Sequence, residues 1–439
     1  MNEDLLVRTL GGKGFFCDAR VIERKRRWVV VKDGELELQQ SSDEGIAVRA
    51  LVDGAWGHAF GKVEEFEKLL GRAERLAGLV KGNVKYPERE GEEGWKGKRA
   101  PEFGKEELEG LAKESFLRME KEGVRNRQAT FSEGRAERVY ANSAGELVED
   151  SQFIAYAGFS AVGKEGDVMQ EGNARWGSLG GWEAEAVLEK AGEASRKCAE
   201  NLKAEAPPSG NFAAVFDNDL AGVFVHEAVG HACEGDSVSE GTSVLKGKKG
   251  QKIGSGLVTI WDNPALEGGF GSYAMDSEGV GGKAVKLIDK GVLEGYMHSE
   301  QSAAELGEKG NGHARAEGSA YPPIVRMSNT YMESGELSFE ELADISEGLY
   351  IRGMSGGSVD TFTGQFMFRA EQAFWVKQGE VGGRIRDLSI TGTVVGTLEK
   401  VSGVGKDFAL SPGFCGKGGQ MANVSDGGPH IRVSSIRVG

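Results

Sequence analysis

Proline is scarce, nine in 439 residues, and the four cysteines (Cys17, Cys198, Cys233 and Cys415) are scattered with no C-x-x-C pair among them. A disulfide framework is therefore excluded, and reduced thiols in a cytoplasmic setting are the expectation. Positive charge is in deficit as well: 53 Lys+Arg face 68 Asp+Glu, a formal charge of −15. A nucleic-acid binder needs a basic face, so that class is set aside. Long apolar runs are missing too. The longest weakly polar stretch, Phe153 to Val162, has ten residues, against roughly 18 or more for a membrane span. The opening MNEDLL is acidic and no apolar segment follows it, which argues against a secretion signal.

What is abundant is glycine, 68 of 439, about twice the usual share of roughly 7%. Much glycine with little proline suits a turn-rich chain with hairpins and close backbone approaches. The length suggests two or three domains at about 150 residues each.

The fold class expected is α+β, with an amino-terminal α/β domain (1–208) of mixed sheet and amphipathic helices, then a β-rich carboxy-terminal domain (209–439). Asp33-Gly34 and Asp53-Gly54 each sit between alternating apolar runs, the two-residue hairpin signal. Phe66, Leu69, Leu70, Ala73, Leu76, Ala77 and Val80 form one helical stripe. A charged, glycine-rich loop follows over Lys85–Lys105, then a helix near Glu106–Lys121 and strands around Glu137–Ala141, Gln152–Val162 and Asp167–Arg175. A third helix, about Glu183–Ala204, carries Cys198 on its apolar side and stops at Pro207-Pro208-Ser209-Gly210, the expected domain boundary. Beyond it the chain reads as short strands broken by glycine. Two helices interrupt them, one from Asp219 to about His231 and one over Ser338–Glu347, opened by an S-x-x-E capping box. No internal repeat is found.

The chemistry concentrates in Asp219–Asp236, DLAGVFVHEAVGHACEGD. Two of only six histidines stand five apart, with an acid directly after the first: His226-Glu227-x-x-x-His231. At this composition the pattern is expected by chance with a probability of roughly 0.01. Two imidazoles and a carboxylate on one helix are what a hydrolytic zinc site uses. The rings hold the metal, and the glutamate reaches a water at the ion's open position. In a regular helix, residues four apart lie about 40° apart around the axis and residues five apart about 140°. Both rings can face one ion only if the backbone absorbs an extra residue. A π-turn near Val229-Gly230, or an early helix end at Gly230, would do so.

A third protein ligand is needed. On residue type alone His58, His298, His313, His430, nearby acids and the cysteines all qualify. Cys415, in PGFCGKGGQ, has glycines that allow close backbone approach, whereas Cys233 lies so near His231 that sharing its ion would need a sharp reversal.

HEAVGHACEGD, followed by GTSVLKGKKGQKI, GYMHS, GNGHAR, MSNTYM and CGKGGQ, resembles the TldD/PmbA family on its TldD (peptidase) side. GIAVRALVDGAWGHAF and RWGSLGG extend the similarity over nearly the whole chain. The sequence departs from the family pattern at Ala232-Cys233, where glycine and an apolar residue are usual. The resemblance implies one Zn²⁺ per chain held by His226, His231 and Cys415, with Glu227 catalytic, and it implies peptide-bond hydrolysis. It also implies unfolded or short peptides as substrates, and a dimer, either a homodimer or a heterodimer with a metal-free PmbA-like subunit. Glu227 would take the proton from water and pass it to the leaving amine. His313 and Arg315 are candidate oxyanion or substrate contacts, and Glu234 and Asp236 candidate supports for a ligand imidazole. An extended peptide could add to a sheet edge of the β-rich half. Two other classes are weighed. A His₂Cys set also serves blue copper, but copper needs no carboxylate beside its ligand. A non-catalytic, zinc-stabilised subunit is the second.

Overall fold

The computed structural model describes residues 3–82, 84 and 104–439. The segment expected as a charged loop over Lys85–Lys105 lies almost wholly outside the described residues. Helix α1 (Glu3–Gly11) leads into β1 (Phe16–Lys32), β2 (Glu35–Val52) and β3 (Ala55–Gly61). At both expected turns the aspartate and glycine have positive φ, 50° and 92° at Asp33-Gly34, 50° and 74° at Asp53-Gly54. This backbone matches the twist of the strands it joins. Helices α2 (Phe66–Ala77) and α3 (Lys105–Arg118) come next, followed by β4 (Val124–Asn142), β5 (Leu147–Glu165), β6 (Val168–Ser178) and α4 (Ala184–Asn201).

The six strands form one sheet in the order β3-β2-β1-β4-β5-β6. The α+β class stands, but the mixed sheet expected in this half is corrected: every neighbouring pair is antiparallel. Four of the five neighbours are joined by short turns, a connection parallel strands cannot use. The helices cover one face. Phe66, Leu69, Leu70, Ala73 and Ala77 of α2 pack on β2 and β3, with α1 alongside over β1 and β4. Leu76 and Val80, expected on that stripe, are exposed: Leu76 lies at its margin, and α2 ends at Ala77, before Val80. α3 covers β1 and β4 and α4 covers β5 and β6, with Cys198 fully buried in that core.

The other half opens with β7 (Gly210–Phe216), α5 (Asn218–Val225) and α6 (Gly235–Glu240). After β8 (Ile260–Asp262), β9 (Val285–Asp289) and β10 (Val292–Leu293) comes α7 (Glu300–Leu306). Then follow β11 (Ala314–Arg315), β12 (Ile324–Val325), β13 (Asn329–Met332) and α8 (Phe339–Ala343). The chain finishes through β14 (Glu347–Asp360), β15 (Gln365–Lys377), β16 (Glu380–Ile385), β17 (Ser389–Thr393), α9 (Val394–Leu398), β18 (Val401–Val404), β19 (Ala409–Lys417), β20 (Gln420–Gly428) and β21 (Ile431–Val438). The capping box forms at Ser338, whose Oγ accepts from Glu341 N at 3.3 Å, but α8 stops at Ala343.

Two sheets enclose the core of this half. One runs β10-β9-β8-β13-β20-β19, with β13 and β20 parallel and β19 at its edge. In the other, β15 pairs with β14 on one side and β17 on the other, so that β14, β7, β21, β17 and β15 close into a ring. Helix α5 lies in this core, with Leu220 through Val225 all buried, which explains why its sequence is apolar on every side.

Candidate metal centre

The backbone solves the spacing problem in the first of the two ways open to it. α5 passes into a π-turn over His226–Gly230, and a short 3₁₀ turn, His231–Cys233, follows. His231 N–H donates to the His226 carbonyl, five residues back, which brings the second ring over the first. The centroids are 5.3 Å apart and the planes stand at 89°. Gly230 is helical (φ −55°) rather than left-handed. Glycine is required there for room, since a Cβ would fall 2.0 Å from the sulfur of buried Met327.

The exit from this turn is clamped. Gly235 N–H donates to the Met297 carbonyl (2.8 Å) and Met297 N–H to the Cys233 carbonyl (2.9 Å). A Cβ on Gly235 would lie 2.4 Å from His298 Nδ1, so the GYMHS segment is the wall against which the turn closes. Strand β19 arrives from the other side, paired with β20 so that Cys415 stands opposite Ala422.

The side chains of His226, His231 and Cys415 converge: one donor atom from each lies within 4.8 Å of the other two. Cys415 Sγ is 3.4 Å from His231 Nε2. Burial pushes the Cys415 thiol up, but hydrogen bonds and charge from the two rings outweigh it and bring it down to about 5. His226 and His231 are correspondingly raised, against their burial, by Cys415 and, for His231, by Glu234. Glu227 Oε2 is 4.0 Å from His231 Nε2, and 29% of its side chain is open to solvent, enough to meet a substrate.

Two nitrogens and a depressed-pKa sulfur are the donor types zinc takes in tetrahedral sites. His226 Nδ1 is buried with no hydrogen-bond partner among the described residues, a costly state for a polar atom. The residues fit a zinc ion. Cys233, the rival sulfur, is fully buried in the core and outside this cluster, and burial with Glu234 nearby pushes its thiol up.

Glu234 accepts from His231: Oε2 lies 3.1 Å from Nδ1, and the carboxylate is held low, despite burial, by His231, Lys417 and Arg326. Asp236 does not reach either ring. Its oxygens take Ser237 N and Val325 N and both face Lys417 Nζ, at 2.7 and 2.8 Å. The two oxyanion candidates are held by other parts of the chain. His313 is fully buried, with Nε2 3.0 Å from Asp262 and Nδ1 2.8 Å from Asn311. Arg315 gives its guanidinium to the Met327 and Asn423 carbonyls and to Asn423 Oδ1, each at 2.8 Å. Both ring nitrogens of His313 are thus engaged within the protein, whereas Arg315 has N–H groups beyond these three bonds and borders a cavity together with Phe414. GNGHAR and MSNTYM instead build a buried polar shelf, in which Asp262 also accepts from Ser328 and Thr330.

Residue-type reasoning missed Lys417 and Asp426. Lys417 sits inside CGKGGQ, a position that could have drawn attention to it. Asp426, pushed up to about 6 by burial despite Arg175 and His226 beside it, carries no local signal. Two cavities, about 570 and 450 Å³, lie where β4 and β5 face the carboxy-terminal half. Phe414, beside Cys415, lines the smaller one.

The chain belongs to the PmbA/TldD family. The PmbA/TldA metallopeptidase C-terminal domain matches residues 209–439, domain 1 matches 17–77, and the central domain matches 100–203. A metalloprotease of Methanothermobacter thermautotrophicus is 37% identical over 444 residues, covering 97% of this chain and 95% of that protein. A zinc metalloprotease TldD homolog of Saccharolobus solfataricus is 33% identical over 300 residues, 66% of this chain and 67% of that one. Among solved structures, a protein of Thermotoga maritima described as a putative modulator of a DNA gyrase superposes with a TM-score of 0.82 at 21% identity, covering 100% and 99% of the two chains. TldE from Thermococcus kodakarensis superposes with a TM-score of 0.78 at 21% identity, covering 99% of each. The fold is therefore shared with both. Among the described residues no helix is long and apolar enough to cross a membrane.

Proposed function

We propose that this chain is a zinc-dependent peptidase acting on unfolded or short peptides, with His226, His231 and Cys415 holding one Zn²⁺ and Glu227 serving as general base and then general acid. The observation that carries the reading is the convergence of two ring nitrogens and one sulfur within 4.8 Å, beside a glutamate that is partly open to solvent. Zinc bound by three protein ligands supplies Lewis acidity that brings a water's pKa from 15.7 toward about 7. The chain's own part is orientation and proton movement. Glu234 fixes the Nδ1–H tautomer of His231, leaving Nε2 as the donor. Glu227, adjacent in sequence to one ring and 4.0 Å from the other, takes a proton from the attacking water and delivers it to the leaving amine. Edge strand β19, which carries Cys415, suits an extended peptide added alongside it.

The chain is read as two units, 1–208 and 209–439, that work in a cytoplasmic dimer, either with itself or with a PmbA-like partner. The deciding experiment is metal analysis joined to digestion of an unstructured peptide, for wild type and Glu227→Gln. Retained zinc with lost hydrolysis is the expected result. Hydrolysis undiminished in Glu227→Gln would overturn the role given to Glu227, whereas a zinc-loaded wild type that hydrolyses nothing would favour a non-catalytic, zinc-stabilised subunit.

A further inference from the structure

We propose that Lys417 is a positioning residue for the metal centre, setting His231 through Glu234 while touching neither ring nor sulfur; this rests on the ligand assignment above. Lys417 stands two residues past Cys415, at the end of β19. Its ammonium donates to Asp236 Oδ1 and Oδ2 at 2.7 and 2.8 Å and to the Val325 carbonyl at 3.2 Å, and it forms an ion pair with Glu234 Oε2 at 3.2 Å. Glu234 is 1% exposed, and its Oε2 is shared between Lys417 and His231 Nδ1. A buried carboxylate is stable only when paired, and an imidazole alone would leave it free to swing away from the ring.

Lys417 does two things at once. It holds the Glu234 carboxylate aimed at Nδ1, so that His231 Nε2 faces Cys415. It also fastens the strand that brings the sulfur to the turn that brings the nitrogens, because Glu234 and Asp236 lie three and five residues beyond His231. Cys415, Glu227, Glu234 and Asp236 share this corner of an acidic chain, and the Lys417 ammonium stands among them, with Arg326 donating to the Cys415 carbonyl.

The test uses the full-length chain with Lys417→Met, Lys417→Arg, Glu234→Gln and the Met/Gln double variant. Zinc affinity is read by chelator competition, and ligand geometry by the absorption bands of the Co²⁺-loaded protein. Expected are a loss of about 10–100-fold in zinc affinity for Lys417→Met, the cost of removing an outer support of a ligand, together with altered Co²⁺ bands. Lys417→Arg should recover most of the affinity, and the double variant should bind no worse than Glu234→Gln alone. Wild-type affinity and bands in Lys417→Met, or losses that multiply in the double variant, would overturn the inference. If Lys417→Met does not fold, Lys417→Gln is read by the same criteria. A wild-type chain that takes up no zinc overturns the ligand assignment, and this inference with it. A zinc-loaded, active wild type beside an unaffected Lys417→Met overturns this inference alone.

Discussion

Gly222→Ala adds one methyl group where α5 crosses β20, and its effect follows from the coordinates. The new Cβ would lie 2.5 Å from Gly427 N, 2.6 Å from Gly427 Cα and 2.9 Å from the Asp426 carbonyl carbon, all of them backbone. Carbon atoms rest at about 3.5–4.0 Å, so helix and strand must part by about 1 Å. β20 is held on both sides, by β13 and β19, which leaves α5 to move. Overpacking of this kind costs about 1–3 kcal/mol, and a contact with rigid backbone belongs at the upper end. The helix propensity of alanine returns about 0.5–1 kcal/mol, leaving a net loss of about 2 kcal/mol. For a half of this size that lowers the melting temperature by about 4–8 °C. The displacement also reaches the chemistry, because His226 N–H bonds to the Gly222 carbonyl while Cys415 stays with β20. A misplacement of about 1 Å costs on the order of 100-fold in rate. Gly110→Ala is the control: it lies within α3, a Cβ there meets nothing within 4 Å, and it should stabilise by about 0.5–1 kcal/mol. Thermal melts of the zinc-free chains and a peptide digestion assay make the comparison. A Gly222→Ala variant that melts at or above wild type and keeps full activity would refute the reasoning.

Glu227→Gln should retain zinc and lose about 10²–10⁴-fold in turnover, the usual contribution of a general base; metal analysis beside a rate assay checks both halves. Cys415→Ala should lose zinc, whereas Cys233→Ala should keep it and only loosen the core; equal zinc content in the two variants would contradict the ligand set. His58, opposite Arg49 on the neighbouring strand, is held down to about 3 by burial and by the charges of Arg49 and Arg20. The folded state therefore resists a proton that the unfolded chain accepts below about 6.5, so stability is full above that pH and declines as the pH falls toward 3. Between pH 6.5 and 5 this group accounts for at most about 2 kcal/mol; denaturant titrations at both values should show a shallower acid loss in His58→Gln, and an unchanged loss would remove His58 as the cause.

Much of the fold was legible because local physics decides it. Asp-Gly turns force tight hairpins, and the stripe on α2 needs a sheet to cover it. The sheet's uniformly antiparallel order was less legible, since strand pairing depends on which segments meet after α2 and α3 have crossed over. At the metal centre, the five-residue histidine spacing demanded a backbone irregularity, and the π-turn supplies it through a bond within seven residues of chain. The surroundings of His313 and Arg315 were not legible: a glycine-rich setting suggests an open loop, whereas the Asp262 carboxylate and the Asn423 carbonyl, distant in sequence, bond to them. Lys417 escaped for the same reason: its acidic partners lie more than 180 positions away, and only tertiary structure reveals them.

The sulfur in this centre follows its nearest ring nitrogen by 184 positions, and that order has a consequence for biosynthesis. A chain still emerging from the ribosome carries both histidines and the glutamate long before it carries the cysteine. It gains the third donor only after β19 and β20 have been made and have docked beside α5. On the proposed chemistry a half-made polypeptide is harmless to the unfolded segments around it, its own included, and hydrolytic power arrives only with a finished fold.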